Sequence, residues 1–343
     1  MRFPLVAVAA LLIAAPALAN DTTAELGTGG LVFITTDQLK MKSEDLFVSP
    51  EQVKVTYEFQ NLTDRPLDVL VAFPMPDVEG NGDFNVAVPD RESDNMFGFE
   101  TTFNGEPVDA TLHQQAYAFN LDQSAVLEEM GIPLTPFGDR THEVLQGLDD
   151  EAIQKLLHLG LVIPMEYSDD GDTWKTAYEP VWTLKSTYSW EAHFEPGETA
   201  EVVHSYTPSV GGTVAVTFLA PPDQYGDRAT EYKKKYCTDD DLIKTVKKTL
   251  PSPQEYYAAP YYEQWISYIW STGNNWAGPI EDFTLTIDKG DPKNLVSFCW
   301  DGDVKKIGPT TFQMKAKDWY PPYDHELDIL ILDRNDDQQS VGG

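Results

Sequence analysis

In VKVTYEFQN, Val53, Val55, Tyr57 and Phe59 alternate with Lys54, Thr56, Glu58 and Gln60. A period of two predicts a strand with one buried face. The turn chemistry of NLTDRP follows, and LDVLVAFPMP then starts a second, more continuously apolar strand, so the stretch reads as a β-hairpin. FGFETTFNGEPVDATL repeats the form, with Asn104-Gly105 as a two-residue hairpin turn. In YSWEAHFEPGETAEVVHSY, pairing across Pro196-Gly197 puts Tyr188, Trp190, Phe194 and Val203 on one face. His193 and His204 then share the other face, four ladder positions or about 13 Å apart, too far to ligate one metal; they read as solvent-facing.

The period changes in the middle of the chain. SAVLEEMG offers Ser124 as an N-cap and Gly131 as a stop. In LDDEAIQKLLHLG, Asp149 can cap, acids fill the first turn, and Ile153, Leu156, Leu157 and Gly160 follow at helical spacing. CTDDDLIKTVKKTL reads as a further helix, with Thr238 as cap, Asp239 to Asp241 at the positive end and Lys247 and Lys248 in the last turns. Strands are expected again at 282–288, 294–300, 310–317 and 327–333.

The pattern gives a mainly β protein of sandwich type, with a small helical insertion and one or two further helices. The expected divisions are an N-terminal β region over 20–120, the insertion over 121–165, a C-terminal β-rich region over 166–335 and a flexible tail over 336–343. Residues 1–19, MRFPLVAVAALLIAAPALA, have a positive n-region, a short apolar run and a small-residue cleavage site, and are expected to be a signal peptide with Asn20 as the mature start. Asn20 is not the cysteine a lipoprotein anchor needs. No later run is long and apolar enough to span a bilayer as a helix. The chain is therefore expected in the periplasm.

Composition sharpens the choice of partners. The formal net charge of −32 at pH 7 makes nucleic acid and anionic lipid poor partners. The acids are spread along the whole chain, which suits a solvated shell. The two cysteines, Cys237 and Cys299, are expected to form a disulfide in an oxidising compartment, in preference to a metal pair or two free thiols.

The search for chemistry is less productive. The histidines show no catalytic spacing, HEVLQ at His142 lacks the second histidine of a zinc-protease helix, and there is no G-x-S-x-G elbow or phosphate-cradling loop. DVEGNGDF resembles the first half of a calcium loop. Asp77, Glu79, Asn81 and Asp83 supply oxygens and Gly82 stands sixth, but Val88 holds the twelfth position where the bidentate glutamate belongs. A plain connecting loop is the expectation, with no cofactor beyond weak calcium. STGNNWAGPIEDFTLTID is the richest polar cluster. Asn274, Asn275, Gly278 and Pro279 suit a bend that Trp276 can pack over. The functional alternative has Trp276 as a stacking platform, with Asn274, Asn275 and Asp282 binding a polar ligand such as a sugar.

NDTTAELGTGGLVF, SEDLFVSPEQVKVTYEF, VAFPMPD, ISYIWSTGNNWAGPIEDFTLTIDKG, LVSFCWDG and GPTTFQM together resemble domain-of-unknown-function family 4424, over nearly the whole mature chain. The resemblance implies an exported bacterial protein and supplies no activity. Cys299 falls in one of these stretches, LVSFCWDG, which favours a structural pair. A second, partial likeness is to the N-terminal half of the vault/inter-alpha-trypsin (VIT) domain over 53–108, which implies only a sandwich. The expected function is a non-enzymatic binding or interaction module of the envelope, with an envelope protein or a glycan as partner. The alternatives are a glycan hydrolase using paired carboxylates and a purely structural module.

Overall fold

The computed structural model describes residues 22–27, 30–80, 86–252 and 255–335. The expected signal peptide and tail lie outside them. The protein is mainly β, with 43% strand and 18% helix. An eight-stranded sheet forms the spine, in the order Lys305–Lys306, Thr311–Trp319, Ile280–Asp288, Leu39–Val48, Val53–Asn61, Thr199–Tyr206, Glu100–Phe103 and Glu106–Pro107. Its central joint is the parallel pairing of Leu39–Val48 with Ile280–Asp288, which puts strands from both ends of the chain into one sheet. The long strands occur where apolar residues alternate: Val53, Val55, Tyr57 and Phe59 are all buried.

Two further sheets pack on the spine's inner face. One has seven strands built around Thr183–Phe194 and Leu67–Pro74. The other has five, built around Tyr261–Tyr268 and Leu327–Arg334. One core runs between all three, with Phe59, Phe283 and Leu285 from the spine, Phe73 and Trp190 from the second sheet, and Tyr268 and Ile329 from the third. The hydroxyls of Tyr57 and Tyr268 meet in it at 3.1 Å. The five-stranded sheet is covered on its other face too, where Leu330 and Leu332 meet Phe218, Tyr232 and Tyr236. Burial on both faces is why ILIL, residues 329–332, is continuously apolar.

The sandwich corrects the expected pairings. Val53–Asn61 and Leu67–Pro74 are not a hairpin, because they lie in different sheets. The same holds for Thr183–Phe194 and Thr199–Tyr206. Both connections are arches that carry the chain from one sheet to the other. They are held side by side by Asn61, whose Nδ2 donates to Arg65 O at 2.9 Å, Phe194 O at 3.3 Å and Glu195 O at 3.0 Å. The arch also corrects the histidines. Strand Thr199–Tyr206 buries Ala200, Val202 and Tyr206, so alternation takes His204 inward as well. It is fully buried among Tyr57, Phe73, Phe99 and Trp190. His193 is exposed as expected and pairs with Asp68 at 2.7 Å. The Asn104-Gly105 turn is a true hairpin, with φ of 50° and 82° at the two residues.

Helices Ser124–Glu129, Asp139–Gln146 and Asp150–His158 form a separate small core with Trp182, whose Nε1 donates to Leu134 O at 2.6 Å. Asp149 caps the third, accepting from Ala152 N at 2.9 Å. Ser124 is the first helical residue and not the cap; its amide is held by Asp122. Helices Arg228–Lys235 and Asp240–Lys247 cover the five-stranded sheet, and the second is capped by Asp239 in place of Thr238. Cys237 and Cys299 are joined, tying the link between the two covering helices to the sheet beneath across 62 residues of chain.

Candidate functional site

Beside the disulfide, the segment WYPPYDHE leaves the eight-stranded sheet at Trp319 and enters the five-stranded sheet at Leu327. Adjacent prolines fix φ at two successive positions and stiffen this crossing. It forms one wall of an open cleft of about 500 Å³, within the range of small-molecule sites.

The floor is aromatic because three strands end here. Trp319 closes its strand and stacks on Phe283, with ring centres 4.0 Å apart and planes 23° apart. Trp270 follows strand Tyr261–Tyr268; it is buried, and its edge meets the Trp319 ring at 5.3 Å. Trp300 follows strand Leu295–Phe298 and Cys299, and lies 5.8 Å from Trp319. Tyr320 continues the wall with 58% of its surface exposed. The half-buried Trp300 and Trp319 thus present ring surface next to an exposed tyrosine.

The rim is polar and carries both signs. Asp301, Asp324, His325 and Lys234 line it. His325 Nδ1 is 2.8 Å from Asp324 Oδ1, and that hydrogen bond holds the Asp324 carboxyl below the usual carboxylate range. The backbone behind the rim is tightly held. Trp270 Nε1 donates to His325 O at 3.0 Å. Glu326 accepts from Trp270 N at 2.8 Å, Ser271 N at 3.3 Å and Ser271 Oγ at 2.5 Å. Burial raises the Glu326 carboxyl above its ordinary value, and these three hydrogen bonds oppose the rise.

The polar cluster singled out in the sequence stands behind this cleft. Ser271–Asn275 form one 3-10 turn. Asn274 Nδ2 donates to Ser271 O and to Pro321 O, each at 2.9 Å, so it holds the proline wall. Asn275 Nδ2 donates to Thr22 Oγ1 at 2.9 Å, and its carbonyl accepts from Thr36 N at 2.8 Å. Trp276 is 4% exposed and packs on Phe59 with ring centres 4.4 Å apart, inside the core. Asp282 is exposed on the spine strand and ion-paired with Lys317. Of these four residues, Asn274 bonds to a cleft-forming segment through Pro321. In the sequence, WYPPYDH is marked only by two tyrosines around a Pro-Pro pair, and the structure exposes both.

The expected calcium loop is described only in part. Asp77 pairs with Lys185 at 2.5 Å, and Glu79 lies in a short strand paired with Thr183. Asn81 and Asp83 lie outside the described residues. Among the described residues, no three His, Cys, Asp or Glu side chains gather as a metal set. Two other hollows differ from the cleft. One of about 610 Å³ follows the start of helix Asp240–Lys247 and has no aromatic lining. One of about 560 Å³ lies between the first two sheets, with Tyr188 bonded to Asn95 across it at 2.5 Å.

The model of a family described as "Domain of unknown function (DUF4424)" matches residues 19–330. No curated protein matches the sequence. Among solved structures, the chain is similar to one from Legionella pneumophila described as a "putative nutrient binding protein", at 12% identity and a TM-score of 0.42, covering 92% of this chain and 71% of that one. Likeness at that level carries no functional weight.

Proposed function

Because the chain belongs to the DUF4424 family, whose description assigns no activity, we propose its function from the cleft: a non-enzymatic binding module of the cell envelope that holds a small ligand against Trp300, Trp319 and Tyr320. The observation that carries this reading is the aromatic floor beside an exposed tyrosine, set in a loop that prolines and Asn274 hold rigid. A preformed wall lowers the ordering entropy a ligand must overcome. The disulfide supports an oxidising compartment, and so export and a periplasmic location. The net charge of −32 speaks against nucleic acid as the ligand.

Binding is favoured over glycan hydrolysis by the state of the local acids. A general acid needs a carboxyl with a raised pKa. Asp324 is held the other way by His325, and Glu326, though raised by burial, stands behind the cleft lining with both oxygens engaged by Trp270 and Ser271. A purely structural role leaves the exposed face of Tyr320 without a purpose.

A panel of sugars, amines, amino acids and organic acids, read by tryptophan emission, tests the proposal. One class should give a saturable change that Tyr320→Ala and Trp319→Ala both abolish. No change with any class, or a change that both variants retain, would overturn it.

A further inference from the structure

Taking the cleft as the binding site, we infer that its ligand is a neutral saccharide whose pyranose ring offers a flat apolar face. The floor and rim ask for different things, and a sugar meets both. Trp300, Trp319 and Tyr320 present ring surface, which favours C–H groups with partial positive charge over the π faces. A pyranose with equatorial hydroxyls is apolar on its faces and polar around its edge.

The rim then matches that edge. Asp301 and Asp324 accept hydrogen bonds, Lys234 donates, and His325 can do either according to its protonation state. Hydroxyl groups both donate and accept, so one class of ligand group suits all four. A simple cation would meet Lys234, and an anion would meet two carboxylates and the chain's net charge of −32. With both signs on one rim, no single ligand charge is matched.

The geometry also suits a short chain more than a buried monomer. Tyr320 and its neighbour Tyr323 are 58% and 79% exposed, so aromatic surface continues outward from the cleft along the Pro-Pro segment. A second ring could rest there without any movement of the backbone.

Calorimetric titration of the full chain with cellobiose, chitobiose and maltose tests the inference, with choline as a cationic probe. Saturable binding of at least one disaccharide is expected. It should change less than about twofold between low and high salt, because a neutral ligand displaces no counterions. Tyr320→Ala should weaken it about tenfold or more while thermal melting stays unchanged. Salt-sensitive, Tyr320-dependent binding of choline without any disaccharide would overturn the saccharide class and leave the binding role standing. Binding of none of the four probes would overturn the inference. Cleavage of a bound disaccharide would support the ligand class and overturn the non-enzymatic reading.

Discussion

Asn274 donates from its side-chain amide to the carbonyl oxygen of Pro321, 2.9 Å away and 47 residues further along the chain. The same amide donates to Ser271 O at 2.9 Å, so one side chain joins a 3-10 turn to the wall of the cleft. The two carbonyls dictate that nitrogen, and not oxygen, faces them. Asn274→Ala should therefore lower stability by about 1–3 kcal/mol, the worth of two ordinary hydrogen bonds. Asn274→Asp should be worse, because it sets a carboxylate against two carbonyl oxygens. Urea unfolding of the two variants checks the order; an aspartate variant as stable as wild type would contradict it.

Asn61 does comparable work where the two arches meet. It is 1% exposed, and its loss would take a donor from the carbonyls of Arg65, Phe194 and Glu195, of which Arg65 O keeps Thr63 Oγ1 and Glu195 O keeps Glu198 N. Asn61→Ala is expected to destabilise by about 1–3 kcal/mol, as the loss of two or three hydrogen bonds does. Chemical denaturation measures it. A change under about 0.5 kcal/mol, the range of ordinary surface substitutions, would show that the arches hold without the clamp.

These arches mark the limit of what alternation reveals. The period of two in VKVTYEFQN correctly gives the buried set Val53, Val55, Tyr57 and Phe59, and the continuous apolar run ILIL at 329–332 reflects a strand covered on both faces. Neither pattern says which strand is the neighbour. A link of four or five residues, 195–198 or 62–66, suits an arch as well as a hairpin, and only packing across the sandwich selects the arch. His204 shows the same thing at one residue. Its own strand, with Ala200, Val202 and Tyr206 inward, pointed to burial, and assuming a hairpin register with the preceding strand turned it outward. The cleft was illegible for a different reason. Trp270, Trp300 and Trp319 come from three separated strand ends, and nothing local announces that those ends converge.

The disulfide should contribute to stability chiefly by restricting the unfolded chain. Its loop of 62 residues sets an expectation of about 3–4 kcal/mol. The double variant Cys237→Ser, Cys299→Ser should melt several degrees lower, and denatured, unreduced wild type should show no free thiol. Two titratable thiols in protein taken from the envelope would contradict the pairing.

Glu263 offers a test with a definite sign. Its carboxyl is fully buried and accepts from Thr217 N at 2.5 Å, Thr217 Oγ1 at 2.8 Å and Tyr232 OH at 2.7 Å. Burial outweighs these hydrogen bonds and raises its pKa above the ordinary 4.5. A raised carboxyl pKa means that the folded state binds the proton more tightly than the unfolded state. The stabilisation is full below the unfolded value and is lost as pH rises through the folded one. Glu263→Gln removes that linkage, so wild type should lose stability relative to the variant as pH rises above the ordinary carboxyl value of 4.5. Denaturation midpoints that run parallel over this range would contradict the shift.

In the proposed function Tyr320 faces a ligand while Trp276 holds the fold, and a paired comparison of their alanine variants separates the two roles. Trp276→Ala should lower stability by about 3–5 kcal/mol, as loss of a large core side chain does. It should leave ligand titration of the folded protein unchanged at low temperature. Tyr320→Ala should melt with wild type and lose the saturable tryptophan response. The contradicting result is the reverse: a stable Trp276→Ala that no longer binds, beside a Tyr320→Ala that binds as wild type does.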